Sequence, residues 1–411
     1  MSFQKPKGTQ DFYPEEMAQR NAVFDVLRRV AGRYGFKEVS SPAFEGIDLL
    51  TKKEGEEIKQ QIFVLEKKGT EEYGLRFDLT VPLTRMFMEK EKELQKPVKW
   101  FALDRMWRYE RQQKGRQREF YQISLELFGS ASVSADAEIL SLAIDSLKAF
   151  GLTARDFYLK LNSRVLLQSL IAPLIGKAAV EDVIAVIDKK DKMPPDAFLE
   201  ELSKLGVKAK EVSALIATPL EKLKPSTPEG KTALATINQL LELLGGNREY
   251  VRFDLSVARG LAYYTGIVFE AFDIAGNFRA LLGGGRYDNM VEQFGGTPTP
   301  ATGFAIGSST LTLLLAEKGL LPASEQGIEY YVAPVSEKEA PLALELVSAL
   351  RKKTSAETDL MGRNLGNQFK YASKIGARNV IVVGEDEVKS GVFTVKNMKT
   401  GKEEKKRRSD F

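Results

Sequence analysis

Basic side chains crowd one short stretch of this chain, RQQKGRQR, where Arg111, Lys114, Arg116 and Arg118 surround Gly115. A guanidinium is a fork that matches two phosphate oxygens, so such a loop suits phosphate chemistry. Charged hairpin loops are ordinarily just solvated, but the flanking residues argue for more. Upstream, period-two alternation puts Phe101, Leu103, Trp107 and Tyr109 on one face of a strand and Asp104, Arg108 and Glu110 on the other. Downstream, Tyr121, Ile123, Leu125 and Leu127 alternate with Phe120, Gln122, Ser124 and Glu126. Each strand has an apolar and a polar face, and the polar faces continue the loop's charge inward. A hairpin closes with about two to five residues, so this loop is longer than closure requires. The arrangement points to a nucleotide or nucleic-acid site.

Asp78 and Thr80 form a second candidate pair. Two apart on an extended backbone they face the same way, and a carboxylate beside a hydroxyl could hold an ammonium group. The same residues could instead cap the helix that Pro82 opens. In YVRFDLSVARGLAYYTGIVFEAF, Tyr264, Gly266, Val268 and Glu270 share a face. Gly283, Gly284 and Gly285 then let backbone approach a ligand or another strand.

The chain has no histidine and no cysteine. That excludes Ser-His-Asp triads, histidine bases, disulfides and Cys or His metal sites. Any metal must rest on oxygen ligands, which favours Mg²⁺. With 411 residues the chain is long enough for two or three domains, and a net charge of +4 confines nucleic-acid contact to local patches. It has no apolar run of about eighteen residues and no signal-peptide pattern, which reads as a cytoplasmic chain.

The elements that must position these groups follow in order. Residues 14–34 form a helix stopped by Gly35, then an extended segment, a charged loop over 52–60 and a hairpin leading into a helix. After Gly129, SASVSADAEILSLAIDSLKAFG reads as a helix closed by Gly151. Short helices punctuated by Gly and Pro occupy about 163–245, without a strand signal. Strands resume, and 302–319 is a strand entering a helix. Pro322–Gln326 is a linker, after which strand and helix alternate and the chain ends in a basic tail, KNMKTGKEEKKRRSDF.

RYERQQKGRQREFYQISLELFG resembles motif 2 of the class II aminoacyl-tRNA synthetases in its histidyl form. ARGLAYYTGIVFEAF, LGGGRYDNMVEQFGG, LRFDLTVPLTR and KGTQDFYPEE match the same family in order along the chain. The resemblance implies an α+β catalytic domain on a mixed, mainly antiparallel sheet, residues 1–325, with a helical insertion near 163–245. An α/β anticodon-binding domain, 326–411, would follow. It implies histidine–tRNA ligase activity: ATP-dependent formation of histidyl-adenylate, then transfer to the 3′ end of tRNA(His). Histidine, ATP with Mg²⁺ and tRNA(His) would be its ligands, and a homodimer its assembly.

By the same resemblance, Arg108 and Arg259 flank the α-phosphate, with Arg259 the catalytic cation. Arg116 takes the β/γ-phosphates, Glu110 lies by the adenine and Mg²⁺, and Phe120 stacks on adenine. Asp78, Thr80 and Gln122 hold the amino acid's backbone groups. Glu126 and Tyr264 take the imidazole nitrogens, walled by Tyr263 and Tyr287. Two positions depart from the family. Thr310 stands where motif 3 has an arginine for the γ-phosphate, and Ala262 where many relatives have Asp. Thr310 leaves open an alternative, a non-catalytic paralogue such as the regulatory subunit of ATP phosphoribosyltransferase.

Overall fold

The computed structural model describes residues 3–52, 60–110, 117–259, 263–323 and 327–411. The chain divides into two compact units, Met1–Phe12 with Arg20–Pro322, and Tyr13–Gln19 with Ala323–Phe411. The expected charged loop over 52–60 lies almost wholly outside the described residues.

The first unit is organised by a sheet of eight strands: β1 (Lys37–Glu38), β4 (Val98–Trp107), β5 (Glu119–Phe128), β6 (Phe157–Ser163), β7 (Val251–Phe253), β8 (Ile267–Asp273), β9 (Leu282–Arg286) and β10 (Ala301–Gly307). A small separate ladder pairs β2 (Phe44–Gly46) with β3 (Tyr73–Leu75). The large sheet runs β1-β4-β5-β10-β9-β8-β6-β7. Only the end pairs, β1 with β4 and β6 with β7, are parallel, so the sheet is mixed and mainly antiparallel. A parallel pair cannot be joined by a tight turn. The chain between β6 and β7 is accordingly long, with helices Arg164–Ile171, Val180–Ile187, Pro195–Lys204, Ala209–Ile216 and Pro228–Leu243.

The two long strands pair from Val98↔Phe128 to Trp107↔Glu119. Phe101, Ile123, Leu125 and Leu127 pack into a core shared with helix Val133–Lys148 and the helices after β6. The other face is not simply polar, contrary to the alternation reading. Val98, Ala102, Met106 and Phe128 are buried there with Leu83 and Phe87 of helix Thr80–Lys90. The sheet is covered on both sides, and its polar groups sit as islands between apolar patches. The alternation also stops early: β4 ends at Trp107, so Arg108 and Glu110 are placed by the loop and not by strand parity.

One buried ion pair ties the helical layer to the sheet. Arg286, at the end of β9, reaches Asp136 in the first turn of helix Val133–Lys148 at 2.9 Å, and the two side chains are 8% and 3% exposed. It also donates to Ser130 O at 3.0 Å and pairs with Asp288 at 2.9 Å.

The second unit carries a five-stranded sheet, β12-β11-β13-β14-β15, from β11 (Tyr330–Pro334), β12 (Ala356–Thr358), β13 (Asn379–Val383), β14 (Val392–Asn397) and β15 (Glu403–Arg407). Helices Ala340–Leu350 and Leu365–Lys374 complete an α/β unit. The segment expected to be a basic tail is instead the edge strand β15, registered on β14 from Val392↔Arg407 to Lys396↔Glu403. Charge hid it, because an edge strand needs no apolar alternation and charged side chains protect it from pairing with another chain. Phe411 then closes the apolar face, 9% exposed, against Phe393 and Tyr330. Among the described residues no helix is long and apolar enough to cross a membrane.

Asp136→Ala would strand the Arg286 charge in the interior, which costs about 3–5 kcal/mol. The expected outcome is a matching drop in the urea midpoint, with a smaller loss in the double variant that replaces Arg286 by Met.

Candidate functional site

Register defines the floor of the site. Residues paired across neighbouring strands point to the same face. Reading across from β5, Glu126 stands opposite Gly303, Gly303 opposite Gly285, and Gly285 opposite Val268. One row along, Ser124 meets Ala305, then Gly283, then Glu270, then Lys160 of β6. The middle of this face is glycine and alanine, with polar posts on either side.

The glycines make room for those posts. A Cβ on Gly303 would lie 1.9 Å from Glu126 Oε2, and one on Gly283 would lie 1.4 Å from Arg259 Nη1. Gly285 lies under the Tyr264 ring, 2.8 Å from where its own Cβ would be. The glycine run is therefore neither a turn nor a loop but the clearance on which a carboxyl, a guanidinium and an aromatic ring lie flat.

Glu126 is 1% exposed. Its Oε1 accepts from Thr80 Oγ1 at 2.9 Å and Ser124 Oγ at 2.8 Å, and its Oε2 accepts a short bond from the Tyr287 hydroxyl. Burial pushes its carboxyl from 4.5 up to about 7, against the pull of the three donors, and nearby Asp78 adds to the rise. Tyr263, Tyr264 and Tyr287 close over it, all 7% exposed or less, with Tyr263 in ring contact with both neighbours at 4.6 and 5.9 Å. Burial raises the Tyr264 and Tyr287 hydroxyls, so both remain hydrogen-bond donors at neutral pH.

Asp78 and Thr80 do not share an extended face, because the helix begins at Thr80 itself. Asp78 Oδ1 accepts the Val81 N–H at 3.2 Å, the capping role, while Thr80 turns its hydroxyl to Glu126. Pro82 sits in the first turn, where its missing N–H costs no helical hydrogen bond. Burial raises the Asp78 carboxyl, and Arg108 acts to lower it.

Arg259 holds a left-handed backbone, φ 48°, which is strained for a residue with a side chain. Its Nη1 lies 3.2 Å from Glu270, and its guanidinium is 5.5 Å from the Tyr264 ring centre. Burial works against its charge, but Tyr264 and Glu270 overcompensate, so its proton is held more firmly than usual.

Beside this closed pocket opens a cavity of about 580 Å³. Arg108, Glu110 and Phe120 line it from the hairpin, and Gly307, Ser309 and Thr310 from the start of helix Ser308–Lys318. Arg108 donates to Phe77 O at 3.0 Å and lies 5.5 Å from the Phe120 ring centre. Gln122 pairs in register with Asp104 and Gly307 and stands between the cavity and Glu126.

The far wall comes from residues the sequence reading gave no role: Lys160, Asp188, Asp191, Lys192 and Glu270. Glu270 was visible on a shared face with Tyr264. Its opposition to Lys160 depended on pairing β6 with β8, which no local pattern announces. Arg116 and Ala262 lie outside the described residues. Of the other cations that could serve beside Thr310, Arg286 is committed to Asp136. Arg118 donates to Glu110 O at 3.4 Å and covers the Tyr109 ring at 4.0 Å, and Arg279 lines the cavity.

The mainly antiparallel sheet, carrying a cavity of mixed charge beside a closed acid-and-tyrosine pocket, has the architecture of the class II aminoacyl-tRNA synthetases. The family model for histidyl-tRNA synthetase matches residues 8–311, and that for the anticodon binding domain matches 329–411. The histidine–tRNA ligase of Halobacterium salinarum is 39% identical, covering 98% of this chain and 95% of its own. That of Pyrococcus furiosus is 38% identical, with 97% and 95% covered. Among solved structures, histidyl-tRNA synthetase from Nostoc sp. PCC 7120 superposes with a TM-score of 0.82 at 25% identity, over 99% of this chain and 97% of that one. A protein from Bacillus halodurans described as an ATP phosphoribosyltransferase regulatory subunit/histidyl-tRNA synthetase gives 0.76 at 26% identity, over 93% and 98%. The chain belongs to the histidyl-tRNA synthetase family.

Because Glu126 titrates near 7 when folded and at 4.5 when free, the folded chain keeps a proton in that window that the unfolded chain releases. Its contribution to stability is full below 4.5 and is lost as pH rises through 7. Thermal melts of the ligand-free protein between pH 5 and 8 should show the parent losing more Tm than Glu126→Gln. Parallel profiles would mean that the carboxyl is ionised throughout.

Proposed function

We propose that the chain is a histidine–tRNA ligase that activates histidine with ATP and passes it to the 3′ end of tRNA(His). One observation carries the reading: a buried carboxylate ringed by tyrosines lies beside a cavity of mixed charge, with Arg108 in the cavity wall and Arg259 between Tyr264 and Glu270. Imidazole needs an acceptor for its N–H and a donor for its other nitrogen. Glu126 and the Tyr264 hydroxyl supply that pair, with Tyr263 and Tyr287 as walls. The full-length ligase relatives, the kept Arg259 and the C-terminal unit favour this over a regulatory paralogue.

In activation the histidine carboxylate attacks the α-phosphorus and pyrophosphate leaves. The nucleophile arrives ionised, so no side-chain base is required and the lack of histidine costs nothing. The chain must align two anions and offset the charge on the pentavalent phosphorus. Arg108 and Arg259 do so from opposite sides, Arg259 leaving Glu270 for the phosphate. Phe120 stacks on adenine and Arg116 takes the β/γ-phosphates. Gln122 and Asp78 hold the amino acid's backbone groups, with Thr80 steadying Glu126.

Among the described residues no three carboxylates converge on one point. That suits an ion that arrives on the nucleotide, since Mg²⁺ takes one or two protein carboxylates beside phosphate oxygens. Glu110 would hold it there, and when bound it supplies positive charge to the β- and γ-phosphates. A homodimer through the N-terminal helix and strand, and a cytoplasmic location, complete the proposal.

ATP–pyrophosphate exchange assayed with each of several amino acids tests the activity, and exchange with histidine alone is the expected result. Arg259→Ala should lower that exchange about 10²–10³-fold. Gly283→Ala, which displaces the same guanidinium from below, should reproduce most of the loss without touching a charge. If Gly283→Ala leaves the rate intact, Arg259 does not work from this position.

Thr310 offers a hydroxyl where a cation serves the γ-phosphate in relatives, so triphosphate is held mainly by Arg116 and the nucleotide's own Mg²⁺, with Arg279 on the same wall. Thr310→Arg should lower the ATP KM and soften the Mg²⁺ requirement, read from exchange rates at graded Mg²⁺. An unchanged or higher KM would mean that the first turn of helix Ser308–Lys318 does not face the γ-phosphate.

A further inference from the structure

Lys160 joins two parts of the chain that are otherwise far apart. Its side chain is 15% exposed, and its Nζ lies 2.6 Å from Asp191, in the helical segment between β6 and β7, and 2.9 Å from Asp254. Asp254 is itself structural. Its Oδ1 accepts the Ser256 N–H at 2.9 Å and the Ser256 hydroxyl at 2.6 Å. Two residues along β6, Asn162 donates to Leu255 O at 3.2 Å and Val257 O at 2.9 Å. The segment that ends in Arg259 is therefore pinned to β6 at successive points, and its last residue carries the strained φ of 48°.

Directly across from Lys160 on β8 stands Glu270, the partner of Arg259. Residues so paired have Cβ atoms about 4.5–5.5 Å apart, so the Lys160 ammonium has Glu270 within reach as an alternative partner. While Asp191 holds Lys160 on one side, Glu270 is left to Arg259. Without Asp191, the ammonium would turn to Glu270 and compete for it, and Arg259 would lose the contact that sets its guanidinium over Gly283.

We propose that Asp191 is a positioning residue for Arg259, acting through Lys160, so that docking of the helical segment sets the cation that meets the α-phosphate. The proposal rests on the reading of Arg259 as that cation. Asp191 is a favourable point of attack because its side chain is 58% exposed. An exposed carboxylate with no such link should be replaceable without effect.

The experiment compares Asp191→Ala, Asp191→Glu and, as a control, Glu200→Ala, a 68% exposed carboxylate of the same segment that pairs with Lys204. Histidine-dependent pyrophosphate exchange gives kcat and KM, and hydrogen exchange followed by mass spectrometry reports the amides of 255–257. For Asp191→Ala, kcat should fall about tenfold, within the range that small misplacements of a reacting group produce, with both KM values within about twofold. The 255–257 amides should exchange faster, Asp191→Glu should recover most of the rate, and Glu200→Ala should match the parent. Parent-like kcat and amide protection in Asp191→Ala would overturn the link, as would an equal loss in Glu200→Ala or a loss confined to KM. If the parent itself lacks histidine-dependent exchange, the ligase reading falls, and the amide measurement alone still decides whether Asp191 orders the segment.

Discussion

A side chain can lie flat on a β-sheet only where the strand beneath it has none. Gly283 and Gly303 satisfy that condition on neighbouring strands, and the site exists because they do. The Arg259 guanidinium and the Glu126 carboxylate each occupy the volume in which a Cβ would stand. An alanine at either position would meet the working atom before it met anything else. The sheet gives up the packing and β-propensity that larger residues would bring, and the helices on its other face supply the missing burial.

Charge in the ligand-free site is matched pair by pair. Arg259 sits on Glu270, Lys160 on Asp254 and Asp191, and Glu126 carries donors from Thr80, Ser124 and Tyr287. A buried charge without a partner is expensive, so Arg259 and Lys160 rest on carboxylates and Arg108 on the Phe77 carbonyl. The same economy explains why the tyrosine pocket is closed: three buried hydroxyls and a carboxylate satisfy one another until a ligand supplies equivalent contacts.

Local pattern made much of this readable. The long hairpin announced itself by alternation and by the apolar run Ile123, Leu125, Leu127. Resemblance extended the reading to the residues that meet on the glycine floor, among them Glu126, Tyr264 and Arg259. The failures have physical sources. Alternation assigned Arg108 and Glu110 to a strand face, but the strand ends at Trp107 and the loop takes over. For Asp78 and Thr80 the sequence left an extended pair and a helix cap both open, and the helix that begins at Thr80 makes Asp78 a cap. The basic C-terminus was read as a tail because charged edge strands look like solvated chain. Lys160 and Asp191 went unseen because their meaning comes from strand pairing and docking across wide sequence separations, which leave no periodic trace.

The pocket proposed for histidine is built from carboxylate, phenol and guanidinium groups, and no imidazole occurs anywhere in the 411 residues. For a histidine–tRNA ligase that composition reaches beyond the active site. A ribosome translating this stretch never draws on the aminoacyl-tRNA that the enzyme makes. When charged tRNA(His) runs short, synthesis of most proteins stalls at histidine codons, while these residues can still be assembled. Assembly of these residues is thereby decoupled from the supply of charged tRNA(His).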